Sequence, residues 1–308
     1  MSTALLFPGQ GSQFVGMGRD LAEAFPEAAE VFEEADELLG FGLSRLAWEG
    51  PEEELTLTKN AQPALLVHSV AVLRVFGKEL GTVGMAAGHS LGEFSAHVAA
   101  GTMSFGDALG AVRLRGELMF AAGLERPGTM AALLGLTNDL VEEVCEAVGK
   151  SGKICVPANF NSQGQVVISG EKDGVGEALL LAREAGAKRA IPLTVSGAFH
   201  SPLMAPAKAG LRDRLKGINF SDPEYPVVSN VTAEPVVEGG EARELLVEQL
   251  TSPVRWAASV ERMVSEGADR FFELGAGSVL CGLNKRNAKG LPCSSLGGPR
   301  DLDGVASQ

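Results

Sequence analysis

The chain has 308 residues, of which 45% are hydrophobic and 21% charged, and its 39 Asp and Glu residues against 26 Lys and Arg give a net charge of −13. This composition is typical of a globular protein, and the negative charge argues against nucleic acid or an anionic membrane surface as a partner. No apolar run approaches the roughly 18 residues of a membrane-spanning helix, and the N-terminal residues lack the regions of a signal peptide, so we expect a cytoplasmic protein.

The N-terminal part of the chain predicts strands that alternate with helices. A short apolar run closes at the turn-forming residues 8–11, and periodic segments follow. The predicted strands are apolar at successive positions, which is typical of strands with helices packed on both faces. Strands of this kind that alternate with helices indicate an α/β fold with a mostly parallel sheet. The predicted elements are strand 3–7, helices 27–39 and 62–80, strand 83–88, helix 91–100, and a helix that follows the N-cap Ser104 and runs to about residue 122.

The middle of the chain predicts a separate unit with the order βαββαβ, which is that of a ferredoxin-like fold. We therefore expect an inserted ferredoxin-like subdomain at 128–196, and an α/β-hydrolase-like catalytic domain formed by 1–127 and 197–308, with a site in the cleft between them. The predicted elements of the insert are strand 129–136, helix 138–148 behind its cap Thr137, strands 153–159 and 165–169, helix 173–185 and strand 188–195. Those that follow are helix 203–216, strand 226–230, helices 242–250 and 257–266, and strand 270–274.

The four cysteines are far apart in the sequence. Cys145, Cys155, Cys281 and Cys293 show neither the spacing of a zinc site nor that of a disulfide framework. We therefore predict four buried free thiols and no bound metal.

A G-x-S-x-G sequence at residues 88–92 lies between the predicted strand and the helix after it, which is the context that gives this motif its meaning. The glycines permit a sharp turn that exposes the Ser90 hydroxyl, and the N-terminus of the helix points its free N–H groups at the same place. Ser90 is therefore the candidate nucleophile. A serine that only caps the helix fits the same local pattern.

A serine nucleophile needs a base, and the chain has four histidines. His68 lies within an apolar helix, His89 precedes the nucleophile on a turn where neighbouring side chains diverge, and His97 is about 10 Å along the helix from Ser90. His200 remains, in a loop that leaves the predicted insert just before a helix. It is the candidate base, and a capping or solvent-exposed histidine is the alternative.

Five segments resemble, in order, the malonyl-CoA:acyl carrier protein transacylases and the acyltransferase domains of fatty-acid and polyketide synthases. The resemblance covers nearly the whole chain. The segments are FPGQGSQ at 7–13, GHSLGE at 88–93, LRGELM at 114–119, GAFHSPLM at 197–204 and QLTSPVRW at 249–256.

The resemblance implies catalytic roles for residues that match these segments. Ser90 is similar to the acylated serine and His200 to its general base, which the backbone carbonyl of Gln249 orients in place of a triad carboxylate. The backbone N–H groups of Gln10 and Leu91 resemble an oxyanion hole.

The resemblance also implies how the acyl group is chosen. Arg115 resembles the residue that binds the free carboxylate of a malonyl group through parallel hydrogen bonds, whereas Arg113 faces the other side of the helix. Gln62 and Asn161 are expected to line the cleft, although buried structural amides are an equal alternative. The sequence around Phe199 is more similar to malonyl-selective than to methylmalonyl-selective members.

The implied reaction transfers a malonyl group from malonyl-CoA to the phosphopantetheine thiol of acyl carrier protein through a malonyl-serine, which supplies extender units for fatty-acid synthesis. It needs no cofactor, and we expect a monomer. An acidic carrier protein would dock on a local basic patch, for which the candidates are Lys285, Arg286 and Lys289, or Lys188 and Arg189. An esterase or thioesterase of the α/β-hydrolase type, with its acid at Asp107, Asp139 or Asp173, and a non-enzymatic module that binds carrier protein are the alternatives.

Overall fold

Two β-sheets organise the chain in the computed structural model, which describes residues 2–301; Met1 and residues 302–308, which the predicted catalytic domain includes, lie outside the described residues. The strands are β1 (Ser2–Phe7), β2 (Val83–Gly88), β3 (Gly128–Leu134), β4 (Cys155–Ser162), β5 (Gln165–Glu171), β6 (Arg189–Pro192), β7 (Val227–Val228), β8 (Pro235–Val236), β9 (Ala268–Leu274) and β10 (Cys293–Leu296). The helices are α1 (Arg19–Ala24), α2 (Pro26–Leu39), α3 (Leu43–Glu49), α4 (Glu52–Thr56), α5 (Thr58–Phe76), α6 (Gly92–Ala99), α7 (Phe105–Glu125), α8 (Asn138–Lys150), α9 (Lys172–Glu184), α10 (Ala205–Lys216), α11 (Gly239–Glu248), α12 (Trp256–Ser265) and α13 (Val279–Asn287).

The larger sheet has six strands in the order β10-β9-β1-β2-β7-β8, and only β8 pairs antiparallel to its neighbour. The central strand β1 sends Leu5 and Phe7 into one apolar cluster and Ala4 and Leu6 into another. Burial on both faces explains why its sequence is apolar at successive positions, because helices cover each side of a mostly parallel sheet. The predicted α/β fold is confirmed.

The smaller sheet is antiparallel, with the order β4-β5-β3-β6. Helices α8 and α9 cover one face, where Val141 and Val175 pack with Ile168 in a separate apolar cluster. This is the predicted ferredoxin-like arrangement, and Thr137 caps α8 as its sequence indicates, since its side chain accepts a hydrogen bond from the N–H of Leu140. The exact domain boundaries at 127/128 and 196/197 stay a prediction.

Several predicted elements differ from the observed ones. The strand predicted at 188–195 extends only over Arg189–Pro192, and the strand predicted at 226–230 only over Val227–Val228. The short helices α1, α3, α4 and α13 and the short strands β8 and β10 were not predicted, because these elements, of at most nine residues each, hold too few periods to be recognised.

The cysteine prediction is wrong for one pair. Cys281 and Cys293 form a disulfide that joins α13 to β10. Both residues belong to elements that the sequence did not predict, and so their proximity could not be foreseen. Cys145 and Cys155 are buried free thiols, which confirms the prediction for them.

The two sheets meet beside the end of β2. Strand β4 forms a bridge with the segment before α12, in which the N–H of Phe160 donates to the carbonyl of Val254 and the N–H of Val254 donates to the carbonyl of Ala158. This attachment places the smaller sheet over the C-terminal edge of the larger one, where parallel sheets form their ligand sites. Within residues 2–301, no helix is both long and apolar enough to cross a membrane.

Candidate active site

Ser90 stands on a strained turn between β2 and α6. Its φ is 52°, in the left-handed region that most L-residues avoid. The flanking glycines allow the turn to pack closely, since a Cβ on Gly88 would lie 1.8 Å from the carbonyl carbon of Gly92, and one on Gly92 would lie 2.1 Å from the carbonyl oxygen of Phe7. The sharp turn presents Ser90 at the edge of the sheet, as the motif predicts.

His200 lies next to this serine, although 110 residues separate them in the chain: its Nε2 is 2.8 Å from Ser90 Oγ. Its other ring nitrogen, Nδ1, faces two backbone carbonyls, those of Gln249 at 2.9 Å and Ser252 at 3.2 Å. Because carbonyl oxygens only accept hydrogen bonds, Nδ1 carries the proton and Nε2 is left as an acceptor for the serine hydroxyl. The geometry is that of a serine activated by a neutral imidazole.

The environment keeps this imidazole neutral. Burial, followed by the positive charge of Arg115, lowers the pKa of His200 to about 3. Among the described residues no carboxylate bonds to His200, because two backbone carbonyls face Nδ1. Asp107, which of the three candidate acids is the nearest to Ser90 in the chain, instead accepts a hydrogen bond from Ser104 at the start of α7. The arrangement therefore lacks the acid that the hydrolase alternative needs at His200.

Arg115 is buried, with 1% of its surface exposed. Its Nη1 donates to Gln62 Oε1 at 2.6 Å, and its Nη2 donates to Ser90 Oγ at 3.1 Å and to Gln249 Oε1 at 2.9 Å. Arg113, two positions earlier on α7, is half-buried and pairs with a glutamate one turn away. Burial lowers the pKa of Arg115 to about 10, so the guanidinium remains protonated at neutral pH among partners that carry no charge.

A cavity of about 340 Å³ opens in front of Ser90 and His200. The remaining predicted site residues also lie there: Gln10, Gln62, Leu91, Asn161 and Phe199 line it. Arg115 and Gln249 lie in the layer behind this wall and reach it through their hydrogen bonds to Ser90 and Gln62. The structure thus brings all nine predicted site residues into one region, whereas their roles stay predictions.

Three residues near the site were not predicted. Asn230, in the turn between β7 and β8, accepts a hydrogen bond from the N–H of Ser90 at 2.7 Å and donates to the carbonyl of Gly88 at 2.7 Å, so its side chain spans the strained turn. His89 lines the cavity, where its Nε2 is 2.8 Å from Asn161 Oδ1. Glu93 is buried in the first turn of α6, three residues after Ser90. Glu93 directly follows the G-x-S-x-G motif, so its position near Ser90 could have been predicted from the sequence. No motif or residue spacing in the sequence marks Asn230.

Comparison with known proteins gives one consistent result. Residues 4–301 match the model of the acyl transferase domain family. The chain is 49% identical over 300 residues to the malonyl CoA-acyl carrier protein transacylase of Bacillus subtilis, covering 97% of this chain and 95% of that one. The acyl-carrier-protein-S-malonyltransferase of Bartonella henselae superposes with a TM-score of 0.96 at 44% identity, covering 100% and 99% of the two chains. A malonyl-transacylase solved in complex with its type II PKS acyl-carrier protein gives the same TM-score, identity and coverage.

The depressed pKa of His200 gives a prediction for the reactivity of Ser90. An uncharged organophosphorus reagent should modify Ser90 at a rate that stays near its pH 8 value down to about pH 5, because the base loses its neutral form only near its folded pKa of about 3. Mass spectrometry of the Ser90 peptide against time measures this rate. A rate that declines with a midpoint near the ordinary histidine pKa of 6.5 would contradict the assignment. His200→Ala should lower the rate by about 100-fold or more.

Proposed function

Because the chain belongs to the acyl transferase family, together with the malonyl-CoA:acyl carrier protein transacylases, we propose that it moves a malonyl group from malonyl-CoA to the phosphopantetheine thiol of an acyl carrier protein, by way of a malonyl-serine at Ser90. The product supplies extender units for fatty-acid synthesis. The observation that carries this proposal is that Ser90 Oγ lies within hydrogen-bonding distance of both His200 Nε2 and Nη2 of the buried Arg115.

In the first half-reaction, Ser90 Oγ attacks the thioester carbonyl while His200 Nε2 takes its proton. The backbone N–H groups of Gln10 and Leu91, both residues of the cavity wall, stabilise the oxyanion that forms. The carbon–sulfur bond then breaks, and the departing CoA sulfur takes the proton from the imidazolium. The carbonyl of Gln249 stabilises the imidazolium through Nδ1–H without adding a charge to the site.

In the second half-reaction the same groups act in reverse. The thiol of the carrier protein loses its proton to His200 Nε2 and attacks the ester carbonyl of the malonyl-serine. When the carbon–oxygen bond breaks, Ser90 Oγ takes the proton back. Both substrates thus use one site in turn, which is a ping-pong scheme.

Arg115 selects an acyl group with a free carboxylate. Its direct partners, the side chains of Gln62, Ser90 and Gln249, are uncharged, so the guanidinium is a buried cation without a directly bonded anion. Acylation turns Ser90 Oγ into an ester oxygen, a weaker acceptor, and this frees a donor of Nη2 for the malonyl carboxylate. An arginine and a carboxylate form strong charge-assisted hydrogen bonds, which an uncharged acyl chain cannot provide.

Mass spectrometry of the Ser90 peptide tests the covalent step. Incubation with malonyl-CoA in the absence of carrier protein should add one malonyl group to the peptide that contains Ser90, and addition of holo carrier protein should remove it. Ser90→Ala is the control and should acquire no adduct. An unmodified Ser90 peptide during active turnover would exclude the intermediate.

The acyl selectivity is tested at Arg115. Arg115→Ala should lower kcat/KM for malonyl-CoA by about 100-fold or more, corresponding to roughly 3 kcal/mol for one partner of a buried charged pair, while transfer from acetyl-CoA is kept or increases. Arg113→Ala, on the same helix but outside the site, is the matched control and should change neither substrate's kcat/KM greatly. Equal losses for both acyl groups at Arg115 would contradict a role in carboxylate recognition.

The carrier protein is proposed to dock beside α13. Val279, Leu280 and Leu283 at the start of this helix line the cavity, and Lys285 and Arg286 are exposed one turn further along it. An acidic partner bound there would have its phosphopantetheine arm next to the cavity mouth, despite the negative charge of the whole chain. Lys289 continues the same exposed surface.

A double charge reversal tests this docking surface. Lys285→Glu with Arg286→Glu should raise the KM for carrier protein by about tenfold or more and leave acylation of Ser90 by malonyl-CoA nearly unchanged. The matched control reverses Lys150 and Lys172, which are exposed on α8 and α9 and carry the same total charge change. Equal loss in the acylation and transfer assays would place docking elsewhere.

A further inference from the structure

Glu93 is a fully buried carboxylate that the proposed reaction does not use. It lies in the first turn of α6, immediately behind the nucleophile. Its Oε2 accepts hydrogen bonds from Gln249 Nε2 at 2.6 Å and from the N–H of Asn230 at 3.2 Å. Both partners also contact the backbone of Ser90, so Glu93 belongs to the layer that supports the site.

The amide of Gln249 stands between Glu93 and Arg115. Its Nε2 donates to Glu93 Oε2 and to the carbonyl of Ser90, and this leaves Oε1 to accept from Arg115 Nη2 at 2.9 Å. An amide has one donor end and one acceptor end, so these contacts fix which way it faces. The carboxylate and the guanidinium are therefore linked through one neutral amide and do not bond directly.

This separation has an electrostatic consequence. Glu93 is close enough to favour the charged form of Arg115, yet it occupies none of the guanidinium N–H groups. An acyl carboxylate bound to Arg115 would be a second anion near the same cation, and like charges in a buried site repel each other strongly.

We propose that Glu93 tunes the recognition of the malonyl carboxylate: it balances the charge of Arg115 across the Gln249 amide in the free enzyme, and it weakens the hold on a bound malonyl group. This inference rests on the proposed role of Arg115 in carboxylate binding. Glu93 is a positioning residue, because it acts through Gln249 and Arg115 and does not touch the acyl group.

The ionisation of Glu93 makes the proposal sensitive to pH. Burial raises the pKa of Glu93 to about 7, although hydrogen bonds from Gln249 and Asn230 and the charge of Arg115 oppose this rise. Arg115, on α7, is the charged side chain that faces Glu93. The ring of His200 stays neutral in this range, with its pKa at about 3, and Asn230 and Gln249 carry no charge.

A bound malonyl carboxylate would raise the pKa of Glu93 further, so malonyl binding and proton binding to Glu93 favour each other. The affinity for malonyl-CoA should then increase as the pH falls from above to below about 7. Acetyl-CoA shares the CoA moiety and its phosphate titrations but lacks the carboxylate, and its affinity is the reference at each pH.

The test uses Ser90→Ala protein, which binds acyl-CoA without reacting, and isothermal titration calorimetry with malonyl-CoA and acetyl-CoA. Adding Glu93→Gln keeps an acceptor oxygen for Gln249 and removes the charge. At pH 8 this change should lower the Kd of malonyl-CoA by about tenfold and alter that of acetyl-CoA by no more than about twofold. The pH dependence of the ratio of the two Kd values, present with Glu93, should disappear with glutamine.

Glu273→Gln is the matched control, because Glu273 is also a buried carboxylate, but it accepts hydrogen bonds from the N–H groups of Leu280 and Cys281, away from Arg115. It should leave the ratio of the two Kd values unchanged. An unchanged or higher Kd of malonyl-CoA in Glu93→Gln would overturn the proposal, and so would an equal change for both ligands, which indicates a purely structural role. After a negative result for Glu93→Gln, Arg115→Ala in the Ser90→Ala protein shows which claim has failed. If Arg115→Ala also leaves the ratio unchanged, the proposed role of Arg115 in malonyl recognition fails; if Arg115→Ala removes the preference for malonyl-CoA, that role stands and only the inference about Glu93 fails.

Discussion

A protonated guanidinium buried beside Ser90 is the constraint around which this site is built. Burying a cation without partners is costly, and here the cost is offset by oxygen atoms from three side chains and by a carboxylate one amide further away. The same cation helps to keep the neighbouring imidazole neutral. The proposed recognition of the acyl carboxylate and the charge state of His200 therefore depend on one charge.

Gln249 connects the two halves of this arrangement. Its backbone carbonyl binds the Nδ1–H of His200, while its side chain contacts Arg115 and the carboxylate of Glu93. The residue is fully buried at the end of α11. A shift of this position would thus disturb both the base and the group proposed to bind the acyl carboxylate, which explains why a polar side chain with a donor and an acceptor suits it.

The sequence predicted those parts of the molecule that depend on local pattern. The strand–turn–helix around Ser90, the caps at Ser104 and Thr137 and the βαββαβ order of the insert follow from residue types and spacing, and each is observed. The partners that hold the site were not predictable, because Asn230 and Glu93 meet Ser90 and Gln249 only through tertiary packing. The Cys281–Cys293 disulfide depends on two short elements that have too little periodicity to be recognised.

The segment from Gln249 to Val254 has a mechanical consequence. At one end its carbonyls hold the ring of His200, and at the other Val254 exchanges hydrogen bonds with β4 of the smaller sheet. A hinge motion that widened the cleft would pull on this short tether and would draw the imidazole from the serine at the same time. A wider cleft would then have a longer distance between His200 and Ser90, so the open form of the protein would be less reactive than the closed one.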